Sequence, residues 1–237
     1  MIIRKLAEDF FFFIDRHIQQ KRIFTYLKKD INEFKQISID VGAHTGLYTD
    51  QIIKLNSKIK VLLFEPQHDY FKNLKFKYKN NKRIKIFNIA LSNSSKISKL
   101  FINKHDLTTS LNLFEKKKSF FFFFKSLLFN SSPEKMVSKE IKIRTRKLST
   151  ILTVKKSKKI DLIKIDAEGH DFNILKGLGE HIKKTNIIVI EFHKKDTFKN
   201  YDPYKMHKYL INKKFTLKKI YKFPLLNFED RIYKKNV

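Results

Sequence analysis

The chain has 237 residues, no cysteine and a hydrophobic share of 42%, which suits one large domain with an extension and excludes wholesale disorder. The absence of Cys excludes a disulfide framework and a Cys-ligated metal, and it fits a reducing cytoplasm. The formal net charge of +29 invites a polyanion, but only seven of the 52 basic residues are Arg, the residue favoured for base readout and phosphate clamps, and the Lys are scattered along the whole chain. Nucleic acid is therefore not the expected partner, and the charge reads as compositional bias.

Residues 1–30 read as helix, because Ile3, Leu6, Phe10, Phe13, Ile14 and Ile18 recur at spacings of three and four. Such a helix can lie on a membrane surface or pack on the domain that follows, and packing is the preferred reading. Glu8, Asp9, Asp15 and Arg16 interrupt the apolar stretch, which argues against a cleaved signal. No apolar run approaches the roughly 20 residues of a spanning helix. The expected location is the cytoplasm, with peripheral membrane contact left open.

From Lys35 the pattern alternates. "QISIDVG", "KVLLFEP" and "RIKIFNIAL" read as strands, with "LYTDQIIKLN" and "HDYFKNLKFKYKNN" as helices between them. Short connections between such units imply parallel βαβ pairs. The alternation resumes with "KIDLIKID", "HDFNILKGL" and "TNIIVIEFH", then a helix at about 204–212 and two strands, "KFTLKKIYK" and "DRIYKKN". The expected fold is α/β, a mostly parallel sheet with helices on both faces. Residues 1–34 form an N-terminal helical extension and 35–237 the main domain.

Residues 92–148 interrupt the pattern. "KISKLFIN" and "KEIKIRTRK" read as strands able to pair with each other. Between them lies an insertion, about 111–136, rich in Phe and Lys. An insertion after strand carboxyl ends sits over the ligand crevice of an open α/β sheet. A lid or membrane-touching flap and an irregular loop tucked onto the core are equally open readings.

"DVGAHTG" places Asp40, Gly42, His44 and Gly46 at two-residue steps after the first strand. Glycines allow close approach of a ligand to backbone, and the next helix starts with unsatisfied N–H groups. Glu65 ends the second strand, where a carboxylate can accept both hydroxyls of a ribose. A dinucleotide fold would show G-x-G-x-x-G, but His44 stands two residues after Gly42. S-adenosylmethionine carries no phosphate and suits this loop better.

These blocks resemble the FkbM-type S-adenosylmethionine-dependent methyltransferases. "IDVGAHTGLYT", "LFEPQHDYFKNL", "NIALSNSS", "IDLIKIDAEGHDFNILKG" and "IIVIEFH" carry the resemblance in order, and "KIDAEG" is the most specific among them. His44 stands where the family usually has Asn, a residue that, like His, tolerates left-handed backbone. Asp171 replaces a usual Glu, and Ser149 stands where the family often has Asp. The resemblance implies a Rossmann-like class I methyltransferase fold. It also implies cofactor contacts at Asp40, Gly42, Ala43, His44, Gly46, Tyr48, Glu65, Pro66, Asn88 and Ala90.

By the same resemblance the end of the fourth core strand faces the reactive methyl group. Asp166 and Glu168 stand there, and Glu191 and His193 end the adjoining strand. Methyl transfer to a hydroxyl needs donor and acceptor aligned and a group that takes the hydroxyl proton. These four residues are the catalytic candidates, Glu168 first as base or substrate anchor. The bland alternative is that Asp166 or Glu168 caps the following helix. A divalent metal held by two acids and a His is possible in chemistry but not demanded by any spacing. The family implies a hydroxyl on a sugar or glycan-linked small molecule as acceptor. RNA methylation and a degenerate, non-catalytic binding module are the alternatives.

Overall fold

The computed structural model describes residues 18–103, 109–112, 137–195, 197–223 and 228–236. The first part of the expected N-terminal helix, residues 1–17, and the Phe-rich part of the insertion, 113–136, lie outside the described residues. In chain order the elements are α1 (Gln20–Glu33), β1 (Ile37–Val41), α2 (Leu47–Leu55), β2 (Lys60–Phe64), α3 (His68–Lys77), β3 (Ile84–Phe87), β4 (Ala90–Leu91), β5 (Ile97–Asn103) and β6 (Val137–Arg146). There follow α4 (Leu152–Lys156), β7 (Ile160–Ile165), α5 (Asp171–Gly177), β8 (Thr185–His193), α6 (Pro203–Asn212), β9 (Phe215–Lys222) and β10 (Phe228–Lys235).

The β-branched runs become a seven-stranded sheet in the order β3-β2-β1-β7-β8-β10-β9. Strands β3, β2, β1, β7 and β8 pair in parallel, and β10 runs antiparallel to both its neighbours. Every residue of β1 and of β7 is buried. That pattern belongs to a parallel strand covered on both faces.

Side chains alternate between the two faces with period two. Ile39, Val41, Ile163, Ile165, Ile188 and Ile190 pack with Val154 of α4, Ile174 and Leu175 of α5 and Met206 and Leu210 of α6. On the opposite face Val61, Leu63, Leu162 and Val189 pack with Phe24, Leu27 and Ile31 of α1, Ile52 of α2 and Leu74 of α3. Each such side chain contributes about 1.5–3 kcal/mol by leaving water.

Of the expected stripe, Ile3 to Ile14 lie outside the described residues and Ile18 is exposed, but helix α1 packs on the domain through a later set. Ile23, Phe24, Leu27 and Ile31 are its buried residues. Its carboxyl end is closed by Asn56, whose Nδ2 donates to the carbonyls of Ile31 (2.7 Å) and Phe34 (3.0 Å). Just before it, Gln19 Nε2 donates to Asp230 Oδ2 of β10 at 2.8 Å. The helix is a component of the domain core. Among the described residues no helix is long and apolar enough to cross a membrane.

The two strands flanking the insertion pair as expected: β5 runs antiparallel to β6, and β4 joins β6 in parallel. The far side of the insertion stem returns at Ser110, which bridges Phe101 of β5. This small sheet touches the main body where Gly177 of α5 meets the backbone of Ser92. A Cβ on Gly177 would overlap the Ser92 carbonyl. Alanine in a helix is ordinarily about 1 kcal/mol better than glycine. At this position Gly177→Ala is expected to reverse the sign and destabilise the domain by about 1–3 kcal/mol, because close-packed backbone cannot yield cheaply. Urea denaturation followed by circular dichroism measures it.

Candidate active site

The carboxyl ends of β1 and β2 carry the glycine loop and its acid. Gly42 (φ 73°), His44 (φ 47°) and Gly46 (φ 79°) all adopt left-handed backbone. That is the conformation for which His is better tolerated than most side chains. A Cβ on Gly42 would overlap the carbonyl oxygen of Asp166, so the loop lies directly against the tip of β7. Gly42 and Ala43 donate their N–H groups to the Phe64 carbonyl at 3.0 and 3.3 Å. The His44 ring rests on Tyr70 with centroids 3.9 Å apart.

Glu65 closes the loop. Its Oε2 accepts the His44 N–H and its Oε1 the Gln67 N–H, each at 2.8 Å. Burial pushes its carboxyl up to about 7, and those two amides pull the other way. Asn88 Nδ2 donates to the carbonyls of Glu65 (2.9 Å) and Pro66 (3.0 Å), tying the end of β3 to the same corner. Gly42, Ala43, His44, Gly46, Glu65, Pro66 and Asn88 thus come together. Asp40, Tyr48 and Ala90 sit deeper. Asp40 is wholly buried and accepts a bond from Thr49 Oγ1 at 2.8 Å, which ties β1 to α2. Tyr48 packs its ring on Phe24 at 4.7 Å, and Ala90 is buried in the small sheet.

The loop after β7 carries the two acids singled out in the sequence. Neither is the group that binds the loop amides. Asp171, fully buried, accepts the N–H of Ala167 through Oδ1 (2.9 Å) and that of Gly169 through Oδ2 (3.0 Å). Its burial raises its carboxyl to about 6. Asp166 instead pairs with Lys164 Nζ at 3.0 Å. Glu168 (φ 49°) and Gly169 (φ 84°) are both left-handed, and Phe198 fills the space where a Gly169 Cβ would stand. The insertion stem braces this turn: Ser110 Oγ donates to the Glu168 carbonyl and Asn112 Nδ2 to the Gly169 carbonyl, both at 2.6 Å. His170, whose ring nitrogens lie 3.1 Å from Asn112 Oδ1 and 3.0 Å from Ser92 Oγ, is held down near 4 by burial and points away from the acids.

At the end of β8, Glu191 Oε2 and His193 Nε2 stand 2.6 Å apart, and Glu168 Oε2 lies 4.0 Å from the same nitrogen. Glu191 and His193 project on one face of the strand, being two residues apart. The His193 ring is boxed by Phe198, Tyr201 and Phe228, and its backbone N–H donates to Tyr201 Oη at 2.9 Å. Burial first, then the nearby carboxylates of Asp166, Asp230 and Asp171, drives the Glu191 carboxyl well above its ordinary value. Glu168, Glu191 and His193 therefore converge, with Glu191 and His193 nearly enclosed, while Asp166 is the more open residue and pairs with Lys164.

With this geometry in view, the sequence matches the family described as Methyltransferase FkbM domain over residues 40–218, well over half of the chain. The chain belongs to the FkbM methyltransferase family. No curated protein sequence matches it significantly. Among solved structures it is similar to the magnesium protoporphyrin IX methyltransferase of Synechocystis PCC 6803 with bound S-adenosylmethionine, at TM-score 0.52 and 9% identity, covering 92% of this chain and 78% of that one. The same enzyme with bound S-adenosylhomocysteine aligns at TM-score 0.51 and 8% identity, over 92% and 82% of the two chains. An S-adenosylmethionine-dependent methyltransferase from Aquifex aeolicus aligns over 94% and 92% at 11% identity, with TM-score 0.43. At such identities the likeness is one of fold, the Rossmann-like fold of S-adenosylmethionine-dependent methyltransferases.

Sequence reasoning passed over several residues of this FkbM methyltransferase that shape the candidate site: Lys164, Ser110, Asn112 and Asp230. Lys164 had a signal, because a lysine two residues before Asp166 on a core strand must share its inward face. The Ser110 and Asn112 contacts had none, since they lie 58 and 57 residues from their partners. Lys164 is buried 3.9 Å from Asp40 as well as 3.0 Å from Asp166, and these anions hold its ammonium well above its ordinary pKa against the pull of burial. Lys164→Met leaves Asp40 buried without its cation. The expected loss is about 3–5 kcal/mol, the cost of breaking a buried pair from one side. Thermal and urea unfolding at neutral pH check it.

Proposed function

We propose that the protein is an O-methyltransferase that moves the methyl group of S-adenosylmethionine onto a hydroxyl of a sugar or glycan-linked small molecule. The observation that carries the reading is the meeting of two sites through Gly42 and Asp166. The glycine loop with Glu65 offers a nucleoside a backbone cradle and a carboxylate. Beside it, Glu168, Glu191 and His193 form a cluster able to take a proton.

In this reading Glu65 accepts the ribose hydroxyls, and Gly42 lets the cofactor lie against bare backbone. The Asp166 carboxylate faces the positively charged end of the cofactor. The acceptor oxygen forms a bond to the methyl carbon as the carbon–sulfur bond breaks, and the bond electrons return to sulfur. S-adenosylhomocysteine and a methyl ether result, and the hydroxyl proton passes to the Glu168–Glu191–His193 cluster. Orientation supplies much of the acceleration, and the positioned base about 10²–10⁴-fold. The acids around the reacting centre repel phosphates, which supports a sugar hydroxyl over RNA despite the basic exterior.

Isothermal titration with S-adenosylhomocysteine tests the cofactor site. Micromolar binding is expected, weakened at least tenfold by Glu65→Ala, since hydrogen bonds to a charged group are each worth about 1.5–3 kcal/mol. The pH dependence has a defined sign. The carboxylate form of Glu65 is the one that accepts hydroxyls, and its value near 7 leaves most of it protonated at pH 6. Affinity is therefore expected to rise about tenfold from pH 6 to pH 8 and to be flat in Glu65→Gln. No binding by the native protein would withdraw the reading in favour of a non-catalytic module. Transfer of a labelled methyl group to nucleotide sugars and glycans, with RNA as control, then identifies the acceptor.

A further inference from the structure

Among the described residues, the ends of β7 and β8 gather several acids around Lys164. Glu191 is surrounded by the carboxylates of Asp166, Asp171 and Asp230, while Lys164 is engaged with Asp40 and Asp166. Asp171 is taken up by loop amides and Asp230 by Gln19. Glu191 and His193 stand against each other. Glu191 Oε2 and His193 Nε2 are both enclosed, on residues 6% and 8% exposed, and neither makes a hydrogen bond. They nevertheless stand 2.6 Å apart. Two polar atoms that close with no hydrogen bond between them border the same small space.

That is how neighbouring ligand atoms sit around one cation. Bonds of about 2.1 Å at right angles put adjacent ligand atoms roughly 3.0 Å apart. Glu168 Oε2 lies 4.0 Å from His193 Nε2, and one ligand atom from each of Glu168, Glu191 and His193 falls within 4.8 Å of the others. The Glu168 backbone and the His193 ring are also held from behind. Ser110 fixes the Glu168 backbone, and Phe198 and Tyr201 wall the His193 ring. We infer that Glu168, Glu191 and His193 form a binding site for one divalent cation.

The chemistry of the donors selects the class. Two carboxylates and an imidazole suit a borderline first-row ion such as Mn²⁺ or Zn²⁺ better than Mg²⁺, which prefers an all-oxygen shell. Three protein ligands leave coordination positions for other groups, the pattern of a working site and not of a closed structural one. A hydroxyl taken up there is acidified by the cation, which would do the work assigned above to the bare cluster. That catalytic part rests on the methyltransferase reading; the binding site stands on its own geometry.

The test is titration of the full chain with Mn²⁺ at pH 7.5, following the free ion by electron paramagnetic resonance. Wild type, Glu191→Gln, His193→Gln and the exposed surface control Glu180→Gln are compared, each checked for fold by circular dichroism and for S-adenosylhomocysteine binding by calorimetry. One Mn²⁺ per chain is expected in wild type and in the control. Glu191→Gln and His193→Gln should each weaken it by more than the roughly 10–100-fold that changes behind a metal ligand cause. If one variant fails to fold, the other and Glu168→Gln decide. Absence of a stoichiometric site for Mn²⁺ and for Zn²⁺, or binding that survives the variants, overturns the inference. Failure of cofactor binding with the cation site intact would instead sink the methyltransferase reading alone.

Discussion

Lys164 stands on a core strand with its ammonium 3.0 Å from Asp166 and 3.9 Å from Asp40, and the architecture of the site follows from that placement. A buried carboxylate without a cation is costly, and so is a buried ammonium without an anion. Strands β1 and β7 are neighbours in parallel register, with Asp40 opposite Lys164. The pairing of two strands thus also pairs their charges. Asp40 can then sit fully buried beneath the glycine loop, holding Thr49 at the start of α2. Asp166, anchored by the same ammonium, can stand at the open tip of β7.

Upon that charge pair rests a pair of strained turns. Gly42 approaches the Asp166 carbonyl so closely that no side chain fits, so the glycine loop and the turn after β7 are one packed unit. Glu168 is held in a left-handed conformation that costs a non-glycine residue of order 1 kcal/mol or more. Its neighbours repay that: Asp171 binds the amides on either side, and Ser110 and Asn112 bind the carbonyls. The stem of the insertion is therefore a brace for the acid that faces His193, whatever covers the crevice above it.

Much of the fold was legible because its code is local. Alternating strand and helix periods gave the parallel sheet, and "KISKLFIN" and "KEIKIRTRK" do pair as β5 and β6. The left-handed backbone at His44 was expected from the loop pattern and is present. Neither Asp166 nor Glu168 takes the capping role considered for it: α5 has no side-chain cap, and Asp171 at its start instead accepts the loop amides of Ala167 and Gly169. Asp40 and Tyr48, read among the cofactor contacts, lie below the loop, since an inward position on β1 and the buried face of α2 turn them into the core.

The sequence alone determined the order of the elements, the glycine loop, the acid after the second strand and the family-specific "KIDAEG" turn. Each of these is written in residues adjacent along the chain, where periodicity and turn chemistry act. Only the tertiary structure decided that ligand atoms of Glu168, Glu191 and His193 come within 4.8 Å of one another, that Lys164 stands beside Asp40, and that Ser110 and Asn112 brace a turn more than 50 residues away. Those are facts of strand order, register and crossover. They arise when the chain closes its core, and no local pattern records which distant side chains that closure will bring together.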